Sequence, residues 1–255
     1  MKVEHIADGV TLYCADCLDV MPGLLKVDHV ITDPPYEQDF HNLHASAKLR
    51  RSDGSKQRAA LDFDGINEIR PAFLWHVKAI TRGWLLAFCN VEGVGVWRTE
   101  ILAADLRFNN TCAWVKPDST PKMNGSGPAI GFECMVTAWC GARRSVWNGG
   151  GKRGVFEYMT NGARDSDHPT EKPIGLMRDL VKLFTMRDQT ILDPFMGSGT
   201  TGVAAIAGGR KFIGIERDRK YFDVACKRIA AATTQNDFWI DKPERPRQIS
   251  LSLEA

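Results

Sequence analysis

Net charge, long apolar runs and spaced metal ligands are all scarce in this 255-residue chain. No stretch approaches the roughly 18 consecutive apolar residues of a membrane-spanning helix, and Met1-Lys2-Val3-Glu4 opens no apolar signal segment. No membrane association is expected, and a cytoplasmic location is the default. The formal net charge is only +2, so the overall balance announces no polyanionic partner. Cys14 and Cys17 form one Cys-x-x-Cys, without the second pair or spaced histidines that a tetrahedral metal site needs, and no metal is expected. The seven cysteines are odd in number. Cys89, Cys112 and Cys134 lie in apolar runs, where cysteine packs as a small hydrophobe, so free thiols are expected.

What is present suits one substantial domain with its own core, or one domain carrying an insertion: 44% hydrophobic and 25% charged residues are ordinary for a globular chain of this length. Strand-like and helix-like runs alternate, which is the pattern of the α/β class. Strands are predicted over 10–14, 28–32, 84–89, 110–116, 132–139 and 211–215, with another strand-like run ending at Asp193. Helices are predicted over 17–25, 71–82, 92–104, 174–186 and 221–232. In two of them Phe73, Leu74, Val77 and Ile80, or Leu176, Met177, Leu180, Val181 and Phe184, fall at helical spacing. Charge is distributed unevenly. Lys48, Arg50, Arg51, Lys56 and Arg58 face only Asp53 in their window, and Arg143, Arg144, Lys152 and Arg153 have no acid between them. Such patches suit phosphates, although a solvated face has the same composition.

One corner organises the rest. Asp33-Pro34-Pro35-Tyr36 follows the apolar run Val30-Ile31-Thr32, and each proline fixes its own φ and restricts the residue before it. Asp33 and the Pro34 carbonyl can both accept hydrogen bonds from one amino group while Tyr36 stacks on the ring bearing it. An exocyclic amine of a nucleobase has that shape, and so does a plain turn closing a strand. Near the other end, Gln189-Thr190-Ile191-Leu192-Asp193 leads through Pro194 and Phe195 into the glycine-rich stretch from Met196 to Gly202. Gly197-x-Gly199-x-x-Gly202 spells the dinucleotide fingerprint, with Glu216 placed for a ribose. Against a dinucleotide, Asp193-Pro194-Phe195 stands where that motif sets its glycines directly against a pyrophosphate.

Taken in this order, the two stretches resemble the DNA amino-methyltransferases that use S-adenosylmethionine, in the permuted class whose Asp-Pro-Pro-Tyr precedes the cofactor loop. The resemblance runs from about Tyr13 to Ala225. It implies a Rossmann-like α/β fold: a seven-stranded, mostly parallel sheet with helices on both faces, its last strand antiparallel, and a small loop-rich insertion. It also implies methyl transfer to the N6 amine of an adenine flipped out of double-stranded DNA, with Asp33, Pro34, Pro35 and Tyr36 as the catalytic corner. For the cofactor it implies Asp16 at the adenine amino group with Cys17 beside it, Thr170 and Lys172 at the methionine end, and Asp33 at the border with the substrate. Asp193 would stand near the ammonium with Pro194 and Phe195, the loop Gly197, Ser198, Gly199 and Thr200 around the amino-acid end, and Glu216 on the ribose hydroxyls with Arg217 next to it. Asp16 has a local alternative as a helix N-cap. Thr170 and Glu171 have one as capping residues of the Pro-opened helix after them.

The same chemistry on cytosine N4 is a variant of this reading, although that branch more often has Ser at the position of Asp33. RNA as substrate, and an idle DNA-binding protein of the same fold, are further alternatives. Residues 1–235 are read as the catalytic domain, with 37–67 a mobile DNA-contacting loop and 117–167 a short target-recognition region that implies a short or relaxed target sequence. In the tail, 236–255, Gln248-Ile249-Ser250-Leu251-Ser252-Leu253 resembles the peptide by which bacterial proteins dock on the sliding clamp. An edge strand or plain disorder fits those six residues too. Nothing in the sequence decides the oligomeric state.

Overall fold

The run from Trp84 to Cys89 is apolar without a break, and a strand of that kind needs cover on both faces. All six of its residues are buried, and they divide by strand alternation: Trp84, Leu86 and Phe88 join one hydrophobic core, Leu85, Ala87 and Cys89 the other. The computed structural model describes residues 1–35, 66–119, 127–160 and 171–235. Its elements are β1 (Lys2–Ala7), β2 (Val10–Cys14), α1 (Cys17–Val20), β3 (His29–Thr32), α2 (Arg70–Ile80), β4 (Trp84–Cys89), α3 (Val94–Ala103), β5 (Arg107–Val115), β6 (Phe132–Trp139), β7 (Val155–Glu157), α4 (Ile174–Phe184), β8 (Thr190–Asp193), α5 (Thr200–Ala207), β9 (Lys211–Glu216) and α6 (Arg219–Gln235). One core holds the apolar faces of α4, α5 and α6, including Leu180, Ala204, Phe222 and Ile229. The other holds Cys17, Phe73, Leu74, Val77, Trp97 and Ile101 from α1, α2 and α3. The sheet is therefore covered on both faces, as the α/β reading expects.

Among the described residues nine strands form one sheet, in the order β1-β2-β9-β8-β3-β4-β6-β5-β7. The five from β2 to β4 run parallel. The count exceeds the expected seven because an edge strand is added at each side. β1, antiparallel to β2, alternates half-buried and exposed residues, and its Lys2, Glu4 and His5 give it no apolar signature. β7 has three residues, of which only Phe156 is buried, too few to show a period. The antiparallel member of the inner seven is β6, not the last strand. It returns from β5 and fills the space between β5 and β4, so it runs against both.

Two other boundaries moved. The helix expected over 17–25 is α1 followed by a single 3₁₀ turn, Met21–Gly23, that contains Pro22. The last helix begins earlier than expected, because Asp218 accepts the backbone N–H groups of Lys220 at 2.7 Å and Tyr221 at 3.2 Å, an N-cap arrangement. Residues 117–167 contribute β6 and β7 to the common sheet. Among the described residues no helix is long and apolar enough to cross a membrane.

Candidate active site

Because β2, β9, β8, β3 and β4 are parallel, their carboxyl ends share one edge of the sheet. Cys14 pairs with Glu216, Asp193 with Gly214, and Thr32 with Ala87. Asp16, Glu216, Asp193, Asp33 and Asn90 thus line one rim, where open α/β sheets collect their ligands.

Asp33 follows β3 directly, with Pro34 buried and Pro35 half-buried behind it; Tyr36 lies outside the described residues. One carboxylate oxygen, Oδ2, accepts from Lys172 Nζ at 2.6 Å. The other, Oδ1, is buried and has no hydrogen-bond partner. A buried acceptor left without a donor costs about 1–3 kcal/mol, so this atom is the place where an incoming N–H group gains most. The Lys172 ammonium is only 8% exposed and also lies 3.3 Å from Glu133 Oε2. Glu133 Oε1 is paired with Lys116. Aromatic faces back both cations: Lys172 is 4.9 Å from the ring centre of Phe88, and Lys116 is 4.5 Å from that of Trp114. Positive and negative charges alternate from Lys116 through Glu133 and Lys172 to Asp33. Burial lifts the Asp33 carboxyl above its ordinary value, opposed by Lys172. Burial also acts to lower Lys172, but the carboxylates of Asp33 and Glu133 outweigh it and hold the ammonium above its usual range.

The glycine-rich loop is tied down by the acids on either side of it. Asp193 is 1% exposed, and its Oδ1 accepts from Thr32 Oγ1 at 2.7 Å and from the Phe195 N–H at 3.1 Å. Burial pushes its carboxyl up to about 6, against those hydrogen bonds and one from Thr201. Glu216 accepts the Gly197 N–H at 2.9 Å on one oxygen and the Asp218 N–H at 2.7 Å on the other. Burial raises its carboxyl too, and the two backbone donors oppose the rise. Gly199 caps α5 in the left-handed region, at φ 85°. A Cβ there would lie 3.0 Å from Ala225 Cβ, and one on Gly202 would lie 2.5 Å from Ile229 Cδ1. These two glycines therefore let α6 pack close. The two carboxylates flanking this loop, one of them already holding Gly197, would repel a pyrophosphate, which disfavours the dinucleotide reading.

The remaining expected residues take several positions. Asp16 Oδ1 accepts the Leu18 N–H at 2.9 Å and so caps α1. Cys17 is buried, and its thiol is pushed up to about 12 by that burial. Pro194 is buried, Phe195 half-buried with its ring 5.7 Å from that of Phe73, and Arg217 exposed. Thr170 lies outside the described residues. Glu171 is no helix cap: α4 opens at Pro173 without a side-chain cap, and Glu171 instead accepts from Thr200 Oγ1 at 3.0 Å and pairs with Arg228. Lys172, expected at the cofactor's carboxylate, reaches Asp33. Arg228, Glu133, Lys116 and Thr32 escaped the sequence reading. Glu133 carried one signal, a charged residue at the head of the apolar run 132–139, since a carboxylate rarely enters such a strand without a partner.

Residues 143–227 match a family model described as a DNA methylase, N6_N4_Mtase. The chain is 27% identical to the type II methyltransferase M.HinfI of Haemophilus influenzae, over 90% of this chain and 71% of that one. It is 41% identical to the type II methyltransferase M.BglI of Bacillus subtilis over 44% of this chain and 35% of the relative. In structure it is similar to the M1.HpyAVI complex with SAM, with a TM-score of 0.69, 25% identity, and coverage of 86% of this chain and 98% of that one. The cytosine-N4-specific PvuII DNA methyltransferase shares the fold, with a TM-score of 0.64 at 14% identity over 89% and 92% of the two chains.

Proposed function

We propose that the chain, whose similarities support an S-adenosylmethionine-dependent DNA methyltransferase of the N6/N4 amino class, methylates the N6 amine of an adenine flipped out of double-stranded DNA. The observation that carries this reading is the buried, unpartnered Oδ1 of Asp33 at the carboxyl end of β3. An exocyclic amine has two protons to donate, and Asp33 Oδ1 with the Pro34 carbonyl supplies two acceptors on consecutive residues. The N6 lone pair is delocalised into the purine ring. Two acceptors drawing on its protons favour a pyramidal nitrogen and stabilise the positive charge that grows on it during attack, which is transition-state electrostatics. Tyr36 supplies the stacking face for the flipped base. Lys172 gives the Asp33 carboxylate a fixed counter-charge, so that the acid keeps one orientation.

S-adenosylmethionine, when bound, supplies the electrophilic methyl group. The residues present fit it: the loop from Gly197 to Thr200 offers backbone groups beside Asp193, Pro194 and Phe195, and the rim acids Asp16 and Glu216 accept from an amine and from hydroxyls. Cys17, Arg217, Thr170, Lys172 and Asp33 complete the set. A phosphate-free ligand suits an acidic rim of this kind.

Residues 37–67 are assigned to contacting DNA; of these, 37–65 lie outside the described residues, while Ile66 is buried and the Asn67 side chain accepts from Arg70 at 2.9 Å. The recognition region, 117–167, has strands in the common sheet and little chain to spare for base contacts, which supports a short or relaxed target sequence. The sliding-clamp motif lies in the tail, outside the described residues. A peptide covering Arg247 to Ala255 is expected to bind bacterial clamp more tightly than roughly 100 µM, and no binding at that level removes the tether.

The function is tested by incubating the protein with duplex DNA and methyl-labelled cofactor, then digesting the product to nucleosides. N6-methyldeoxyadenosine is expected, at sites sharing no motif of four or more bases. Label in N4-methyldeoxycytidine, or none in DNA, overturns the adenine reading.

A further inference from the structure

The four-charge chain beside Asp33 contains a residue, Glu133, to which the proposed function gives no contact with cofactor or base. Glu133 stands at the head of β6, and its two oxygens are divided: Oε1 pairs with Lys116 and Oε2 lies 3.3 Å from Lys172 Nζ. Lys116 is itself seated on the Trp114 ring, so Glu133 has a fixed counterpart on β5's side. Lys172 Nζ is thus held from three directions, by Asp33 Oδ2 at 2.6 Å, by Glu133, and by the Phe88 ring. An ammonium facing one carboxylate alone can straddle both oxygens. Here it bonds one of them, and Oδ1 stays without a partner.

We infer that Glu133 is a positioning residue: by drawing Lys172 toward itself it confines the ammonium to Asp33 Oδ2 and keeps Oδ1 open for the substrate amine. The inference rests on the amine-accepting role given to Asp33 above. It explains why a carboxylate stands at the head of an otherwise apolar strand, and why its second oxygen is tied to a lysine on the neighbouring strand's extension. Without that tie Glu133 could swing fully onto Lys172 and lift it off Asp33. With it, the pull is divided and Lys172 keeps both partners. Charge alone does not explain the arrangement, because Lys172 would neutralise Asp33 without Glu133; what Glu133 adds is direction.

The test compares the full-length wild type with Glu133→Gln, Lys172→Met and the double variant, by single-turnover transfer of labelled methyl groups to duplex DNA. Glu133→Gln is expected to slow transfer roughly 10- to 100-fold, the scale of a misplaced catalytic group. In the Lys172→Met background the same change is expected to cost less than about twofold, because Glu133 acts through Lys172. Equal losses in both backgrounds overturn the inference, since a merely structural Glu133 is blind to Lys172. A crystal structure of Glu133→Gln gives a readout independent of activity: Lys172 Nζ within hydrogen-bond distance of both Asp33 oxygens is expected, and Lys172 still on Oδ2 alone overturns the inference. If the wild type labels no DNA, the proposed function falls, while the crystal structure still decides what Glu133 does to Lys172.

Discussion

Replacing Asp33 with Asn changes the site by one atom and one charge. The amide oxygen can still accept from Lys172, and because the ammonium has no acceptor, it selects the flip with oxygen on the Oδ2 side. The NH₂ group then occupies the position of Oδ1, where a donor faces the donor protons of the substrate amine. Loss of one such preorganised partner costs about 10²–10³ in rate, or roughly 3–4 kcal/mol of transition-state stabilisation. Folding stability should change far less. The Lys172 ammonium keeps Glu133 at 3.3 Å, and a buried polar atom without a partner stands at the Oδ1 position in both proteins, so its cost of about 1–3 kcal/mol largely cancels between them. The Asp33 side chain is also 29% exposed, so water screens part of what the pair contributed. Asp33→Asn is therefore expected to melt within a few degrees of wild type, to bind S-adenosylmethionine within a few-fold by calorimetry, and to transfer methyl groups at least a hundredfold more slowly in single turnover. A transfer rate within about threefold of wild type would refute the amine-accepting role. Joint loss of cofactor binding and folding would show Asp33 to be structural.

Two further expectations concern the supports of the site. Arg228 of α6 donates to Ser198 O at 2.9 Å and Ser198 Oγ at 2.8 Å while pairing with buried Glu171, so Arg228→Ala should lower stability by about 3 kcal/mol and weaken cofactor binding more than DNA binding; unchanged cofactor affinity in a folded variant would show that the loop does not need the clamp. His29, at the opposite end of β3, accepts the Trp84 N–H on Nδ1 at 3.0 Å and bonds Gln189 through Nε2 at 2.8 Å, and burial holds its pKa below the ordinary value. Neutral His29 therefore contributes stability that is present above about pH 6.5, the unfolded value, and is lost as pH falls below it, by up to roughly 1.4 kcal/mol per pH unit. Asp193, raised to about 6, works in the other direction, since the folded protein takes up its proton before the unfolded chain does. The His29 contribution is read as the wild-type minus His29→Asn difference in urea midpoint, which should shrink between pH 7.5 and 5.5; a constant difference would mean that His29 stays uncoupled from pH in this range.

The chain's own order of residues determined the two motifs, the α/β class and most of the helices and strands. The physical reason is that each of these is a local property. An apolar run such as 84–89 declares a strand buried on both faces, the 3.6-residue spacing of Leu176, Met177, Leu180 and Val181 declares one face of a helix, and two prolines after Asp33 stiffen a corner wherever it stands. What lies between neighbouring elements could not be read locally. The place of β6 between β4 and β5, and hence of Glu133 against Lys172, depends on pairing across segments far apart in sequence. Lys172 and Asp33 are separated by 139 positions and meet at 2.6 Å, while Thr32 and Asp193 meet only because β3 and β8 are neighbours. Gly199, read as a cofactor contact, and Gly202, the last glycine of the fingerprint, also form the surface against which α6 packs. Charge pairing of this kind carries no period and no spacing rule. It is set when the sheet order is set, and only the tertiary structure decided it.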